Sequence, residues 1–342
     1  MAGIEHKKAL YAEIAKAAGV SIATVSRVMN NRQLVRPETA EKVLSAMEAF
    51  GYDVNELIFR PEPVNSGLLV LNLPSLENPF YSEIVKGAKA AAMRHGYTLL
   101  INVEHLNYDT FSGFSDFLKK VRIAGVITLN HIPKRLLEQL ADLLPLIQCC
   151  EYDADTDISF VSIDDVSTSK LVMQHILSTG MRKIAFVNGP IQYKYARQRL
   201  EGYLSALRES GIEVDNNWII HLPEINYHMA ISAITQLLTT PNPPNALYAA
   251  SDVFAAAAVR AAANCGIRVP QDLVVVGFDN VEISCTTNPT LTTVSQPKFQ
   301  LGFTACELLI EKIENPKAPK REILFDTELV VRESSFRNIS QL

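Results

Sequence analysis

The chain has 342 residues, of which 48% are hydrophobic and 20% charged, and its formal net charge is −5. That balance excludes a disordered chain and gives length for a small domain plus two larger ones. No apolar run reaches the roughly 18 to 20 residues that span a bilayer, and the opening MAGIEHKK has no hydrophobic signal core, so a cytoplasmic protein without membrane contact is expected.

The first pattern along the chain lies in residues 10–29. Tyr11, Ile14, Ala15 and Ala18 fall on one helix face, and Gly19 follows as a residue free to turn left-handed. Val20 points inward and Ser21 is a natural N-cap for a second helix packed through Val25 and Val28. Two short helices joined by a tight turn give either an ordinary helical hairpin or a helix-turn-helix that projects its second helix into the major groove. In the second reading Ile22, Ala23, Ser26 and Arg27 lie away from the packed side. Arg27 could pair with guanine, Ile22 and Ala23 could meet a thymine methyl, and Ser21, Thr24 and Ser26 could donate to phosphates. Charge favours DNA: residues 1–36 carry six Lys and Arg against two Glu, a local +4 within an acidic chain. Pro37 opens a third helix with an apolar stripe of Ala40, Val43, Leu44, Met47 and Phe50, ending at Gly51.

After Tyr52 the periodicity stops. Pro61 and Pro63 cannot sit inside a helix, so residues 55–66 read as a linker with at most one helical turn over 55–60. From Gly67 buried strands alternate with amphipathic helices. Strands at 68–74, 97–103, 125–130 and 145–150 enclose helices at 79–95, 110–121 and 133–143. A second series places helices at 167–179, 196–210, 228–238 and 253–265 between strands at 183–189, 218–223, 245–251 and 273–279. The expected fold is therefore a small all-α helix-turn-helix head followed by an α/β core of two doubly wound parallel-sheet subdomains, with ligands at the carboxyl ends of the strands in the cleft between them.

No phosphate loop, nucleophile elbow or zinc-protease pair is present, so catalysis has no constellation to stand on. Cys149, Cys150, Cys265, Cys285 and Cys306 follow no zinc or disulfide spacing and read as buried thiols, with no metal and no cofactor. Asp164 and Asp165 read as helix caps, since sequence neighbours point apart, and Asp252 likewise. His131, His175, His221 and His228 read as loop or surface residues.

The segments AEIAKAAGVSIATVSRVMN, VRPETAEKVLSAMEAFGYDVN, NPFYSEIVKGA, RQRLEG, SDVFAAAAVRAA, GIRVPQDLVVVGFDN and PTLTTVSQP, in this order over nearly the whole chain, resemble the lactose-repressor (LacI-type) family of transcription regulators, most of all its cytidine- and purine-repressor branch. The resemblance implies a head at 1–54, a hinge at 55–66 and a core at 67–342, its N-subdomain 67–164 plus 296–325 and its C-subdomain 167–292 plus 326–342. It implies a homodimer or tetramer on palindromic double-stranded operator DNA, with Ile22 and Ala23 choosing the sequence and Arg27 and Asn30 as polar contacts. It also implies a sugar or nucleoside effector in the cleft, held by Phe80, Tyr81, Arg199, Asp279 and Gln296, and on looser alignment by Glu151, Tyr193, Ile225 and Ser251. One departure stands out: Pro61 occupies the position where the family's hinge helix carries a leucine wedge, leaving Leu57, Ile58 or Phe59 as the wedge and Arg60 as a minor-groove cation. A weak hinge would shift operator binding onto the two heads, or call for a second DNA-bound protein. A sugar-binding protein without a DNA role and an α/β enzyme are the rival classes; the basic head counts against the first and the missing catalytic cluster against the second.

Overall fold

A computed structural model of the chain describes residues 11–30, 35–49 and 67–336, apart from the side chains of residues 29, 30 and 48. The chain divides into two compact units, Met1–Asn65 and Ser66–Leu342.

The first unit holds helices α1 (11–18), α2 (Ile22–Asn30) and α3 (Pro37–Ala49). Gly19 ends α1 with a φ of 66°, and the Val20 amide closes the turn onto the Ala15 carbonyl at 3.0 Å. Ser21 then caps α2, its Oγ accepting from the Thr24 amide at 3.1 Å. Ile14, Ala15, Val25, Val28, Ala40, Val43 and Met47 are buried together, one apolar stripe from each helix.

The second unit begins with β1 (Leu68–Asn72), α4 (Phe80–Arg94), β2 (Thr98–Asn102), α5 (Phe111–Val121), β3 (Gly125–Thr128), α6 (Lys134–Leu143), β4 (Leu146–Cys149) and β5 (Phe160–Ile163). A second run comprises α7 (Asp165–Ser178), β6 (Ile184–Asn188), α8 (Lys194–Glu209), β7 (Ile219–His221), α9 (Tyr227–Leu238), β8 (Ala246–Ala249), α10 (Asp252–Asn264) and β9 (Val274–Val276). The chain closes with α11 (Ile283–Thr286), β10 (Thr293–Ser295), α12 (Lys298–Glu314), β11 (Glu322–Phe325) and β12 (Glu328–Val330). The strand order is β11-β5-β4-β3-β1-β2 in one parallel sheet and β7-β6-β8-β9 in the other, while β10 and β12 pair antiparallel.

Both sheets are covered on both faces, which explains their near-continuous apolar strands. In the first lobe Leu69 and Leu71 pack with residues of α4 and α12, and Val70 with residues of α5 and α6. In the second, Phe186 and Tyr248 pack with residues of α7 and α8, and Val187 and Leu247 with residues of α9 and α10. The backbone passes between the lobes after β5, between β10 and α12, and between β11 and β12. The crossings place the carboxyl ends of β4 and β5 opposite those of β8 and β9. Strands β5, β10, β11 and β12 and helices α11 and α12 go beyond the elements expected from sequence, which assigned nothing to residues 151–166 or after 279. Among the described residues no helix is long and apolar enough to cross a membrane.

Candidate functional site

On the head, Ser21, Ile22, Ala23 and Arg27 are exposed and Thr24 and Ser26 are half-buried. Ile22 keeps 50% of its surface although apolar, while Val25 and Val28 on the opposite face are sealed in the core. The Ser21 and Thr24 hydroxyls lie 2.8 Å apart, so one hydroxyl proton of the pair is spent internally and the other is left for an outside acceptor. The Asn30 side chain, Arg60 and the linker with Pro61 and Pro63 lie outside the described residues.

In the core, the strand ends of the two lobes border a cleft whose empty space, open mouth included, is about 530 Å³. Phe80, Tyr81, Glu151, Arg199, Ile225, Ser251, Asp279 and Gln296 all line it. Arg199 projects from α8 and is nearly sealed. Its Nε donates to Asp165 Oδ1 at 2.8 Å and its Nη1 to the Ala250 carbonyl at 2.6 Å, with Asp279 Oδ1 at 3.8 Å. The Phe278 ring centre lies 3.5 Å from the guanidinium carbon and that of Tyr195 5.0 Å away, so aromatic faces fix its plane. Nη2 makes no hydrogen bond to the described residues. Asp279 sits past β9 in a left-handed conformation, φ 106°, and its Oδ1 accepts from Gln296 Nε2 at 2.8 Å. Its Oδ2 likewise has no partner among the described residues. The pair thus keeps one donor and one acceptor in reserve, which suits a ligand hydroxyl or two.

Glu151, just past β4, binds across the lobes: its carboxylate accepts from the Lys194 amide at 2.7 Å and the Tyr195 amide at 3.2 Å at the start of α8. Ser251 lines the cleft while its hydroxyl caps α10 through the Phe254 amide at 3.3 Å.

Five expectations need correction. Tyr193 does not line this cleft; it immediately precedes α8 and lines an adjoining chamber, buried and stacked on Tyr195 at 5.7 Å. Asp252 is not a cap, since Ser251 holds that position. It is fully buried, with Oδ1 accepting from the Thr293 hydroxyl at 2.6 Å and Oδ2 from the Val281 amide at 2.9 Å. Of the adjacent aspartates only Asp164 caps α7, accepting from the Ser167 amide at 2.9 Å. Asp165 points the other way into the cleft wall, between Arg199 and Lys194 Nζ at 2.8 Å, and Lys194 Nζ also donates to Ser162 Oγ at 3.0 Å. Ser162 and Asp165 escaped sequence reasoning because β5 did, since they stand on and just past that strand; Lys194 opens α8 after a strand that was expected, and nothing local to it says that its amine meets Asp165. The thiols also vary: Cys149 and Cys306 are buried, Cys150 and Cys265 half-buried and Cys285 exposed. His175 lies on α7 with its Nε2 2.7 Å from Ser335 Oγ, not on a loop.

The cleft carries more buried negative than positive groups, and the titrations follow. Burial raises the pKa of Asp165, but Lys194 and Arg199 outweigh it and hold the carboxyl below the usual range. Burial pushes Asp279 up to about 7 against the pull of Arg199 and Lys298, and Asp252 up to about 8 with Asp279 adding to the rise. Glu151 is raised as well, by burial that outweighs Lys194. Among the described residues no group of three or more His, Cys, Asp or Glu is gathered as metal ligands.

A family model for bacterial regulatory proteins of the lacI family matches residues 12–55, and one for a periplasmic binding protein-like domain matches residues 173–335. The chain is 31% identical over 326 residues to the HTH-type transcriptional repressor CytR of Escherichia coli (strain K12), covering 94% of this chain and 95% of that protein. It is 32% identical over 324 residues to the ribose operon repressor of Halalkalibacterium halodurans, covering 94% and 96%. Among solved structures, the lac repressor dimer bound to operator and the anti-inducer ONPF is similar with a TM-score of 0.73 and 26% identity, over 95% of this chain and 98% of that one. With a helix-turn-helix head, a two-lobed parallel-sheet core and near-full-length relatives above 30% identity, the chain belongs to the lacI family of bacterial regulatory proteins.

Proposed function

We propose that the chain is a homodimeric repressor of a sugar or nucleoside catabolic operon, whose affinity for operator DNA is set by a small polyhydroxylated ligand bound between the core lobes. The observation that carries this reading is the reserve of one donor on Arg199 and one acceptor on Asp279 inside an inter-lobe cleft, in a chain of a DNA-binding family. Buried hydroxyls need partners on both sides, and a donor–acceptor pair beside aromatic walls supplies them. The relatives' names, a ribose operon repressor among them, agree with that class. Ser21, Ile22, Ala23, Thr24, Ser26, Arg27 and Asn30 form the DNA face, with Arg60 from the linker. The chain works in the cytoplasm and catalyses no reaction: Asp165 and Arg199 are tied to each other rather than poised around a reacting atom.

A ligand that prefers one arrangement of the lobes shifts the population of DNA-competent dimers. Operator affinity titrated against nucleosides, pentoses, hexoses and sugar acids tests this directly. A change of about tenfold or more with one class is expected, and its direction distinguishes an inducer from a corepressor. No change with any of them removes the proposed control.

A further inference from the structure

We propose that Lys194 pins the hinge between the two core lobes, its ammonium tying the strand that leaves the first lobe to the helices that open the second, and so governs how freely the lobes turn. Only the effect of that pin on DNA rests on the function proposed above.

The chain crosses from the first lobe to the second between β5 and α7. Ser162 stands on β5 before the crossing and Asp165 opens α7 after it. Lys194 comes from neither element: it opens α8 in the second lobe, and its ammonium bridges the crossing. One proton goes to Ser162 Oγ at 3.0 Å and another to Asp165 Oδ2 at 2.8 Å. The third is left for the face of Tyr152, whose ring centre lies 4.7 Å from Nζ. Tyr152 belongs to the first lobe, between β4 and β5, and stacks on Phe160 of β5 at 3.8 Å. Ser162 in turn donates to the Cys150 carbonyl at 2.9 Å. A turn of one lobe against the other at this crossing changes the span from β5 to α8, which the ammonium fixes.

The same residue is gripped at its backbone. The amides of Lys194 and Tyr195 both donate to the Glu151 carboxylate, so the first lobe holds Lys194 at each end. Glu151 reaches that place through a γ-turn after β4, with Cys150 at a φ of 66° and the Glu151 amide on the Cys149 carbonyl at 2.8 Å. Such a turn is strained for a residue with a side chain and persists where its surroundings over-determine it.

Glu151, Ser162, Asp165 and Lys194 are all buried, so water does not screen these bonds. Burial works against the charge on Lys194, but Asp165 outweighs it and raises the pKa, so the ammonium is permanent. Neutralising Asp165 needs only Arg199; what the lysine adds is the bond to the first lobe. Arg199, which lines the cleft, holds the other oxygen of the same carboxylate. A ligand that draws Arg199 toward itself therefore acts on the group that anchors the pin.

Two variants of the full chain test this. Ser162→Ala removes the first-lobe hydroxyl while the Lys194–Asp165 pair stays, and Lys194→Met removes the ammonium while Asp165 keeps Arg199. Neither leaves a buried charge without a partner. Hydrogen exchange is read residue by residue. In both variants the amides of residues 194 and 195, which bond across the lobes to Glu151, should exchange about tenfold or more faster, with those of β6 within about twofold of the parent chain. Operator affinity, read on a palindromic duplex that the chain itself has selected from random sequence, should shift by about threefold or more with no ligand added. Unchanged exchange at 194 and 195 overturns the pin. Equal quickening in β6 overturns it too, because Lys194 would then be holding up the second lobe. An effect of Lys194→Met without one of Ser162→Ala also overturns it, since the tie to the first lobe would carry nothing. Faster exchange at 194 and 195 with unaltered operator affinity upholds the pin and counts against control of DNA binding by lobe arrangement.

Discussion

Asp164 and Asp165 share a side-chain type and a peptide bond, yet they do unlike things. Asp164 is an exposed cap, whereas Asp165 is the shared counter-ion of two buried cations, Lys194 and Arg199. Asp165→Asn leaves both cations under-compensated and should cost about 3 to 5 kcal/mol, the usual price of breaking a buried pair. Asp164→Ala should cost only about 1 kcal/mol, the worth of a cap. Urea unfolding of the two variants measures the difference, and equal losses would refute the division of labour. Asp252 and Asp279 make a second prediction. Their folded pKa values are raised to about 8 and about 7, above the ~3.9 of an unfolded aspartate. Between those limits the folded chain holds protons that the unfolded chain has released. The stability these two groups contribute is therefore lost as pH rises from about 4 to about 8, each adding a slope of at most ~1.4 kcal/mol per pH unit, whereas His131, His175 and His221, held below their usual pKa by burial, contribute with the opposite sign. Asp252→Asn keeps an acceptor for the Val281 amide and can donate to Thr293 Oγ1, so it should flatten the upper part of that slope in urea unfolding at stepped pH. An unaltered slope would mean that Asp252 is ionised throughout. At this scale Arg199 and Asp279 were legible because they stand in recognisable segments. Asp165 was not, because nothing in a pair of aspartates says which one faces a cation thirty-odd residues away.

At the scale of elements, two glycines show how differently the same residue can be required. Gly19 has a φ of 66° with open space around it, so Gly19→Ala meets only the left-handed backbone cost, about 1 kcal/mol. Gly87 on α4 has an ordinary φ but no room: a Cβ there would lie 2.0 Å from the Phe299 carbonyl oxygen on α12, and one at Gly302 equally close to that of Ile84. Backbone cannot step aside as a side chain can. Gly87→Ala should force α4 and α12 apart and cost at least about 3 kcal/mol, the upper part of the overpacking range. Thermal unfolding that ranks Gly19→Ala as the worse variant would contradict this. The first glycine was legible, since a turn residue between two apolar stripes has a local signature. The second was not, because close helix approach is a relation between segments more than two hundred residues apart. For the same reason α12 and strands β5, β11 and β12 went unassigned. KFQLGFTACELLIEKIE is apolar on too many sides for a clean helical stripe, being packed against α4 and the sheet together, and FVSI and EILF are too short to separate from loop. The other strands over 68–279, alternating with helices, were readable because each carries its own apolar run.

For the whole molecule, the opposite charge habits of the head segment and the cleft offer a way to tell the two proposed binding equilibria apart in one experiment. The DNA-reading segment is basic, with Lys7, Lys8, Lys16, Arg27, Arg32 and Arg36 in its first 36 residues, whereas the cleft is lined by more carboxyl groups than cations. Operator binding by a dimer should therefore lose about 10³ to 10⁵ in affinity between roughly 50 and 200 mM salt, as expected for 6 to 10 phosphate contacts. Binding of an uncharged ligand releases no counterions and should change by less than about twofold over the same range. Salt thus tunes one equilibrium while leaving the other fixed, so the coupling between them can be measured where operator binding is neither saturated nor absent. Linkage then imposes an equality: a ligand that alters operator affinity by a given factor must have its own affinity altered by that factor when operator is saturating. Ligand titrations of the full chain with and without operator should differ by the factor found in the operator titration. Operator should make no difference to a core beginning at residue 66, which lacks the head. Equal ligand affinity with and without operator in the full chain would show that the compound occupies the cleft without governing that operator.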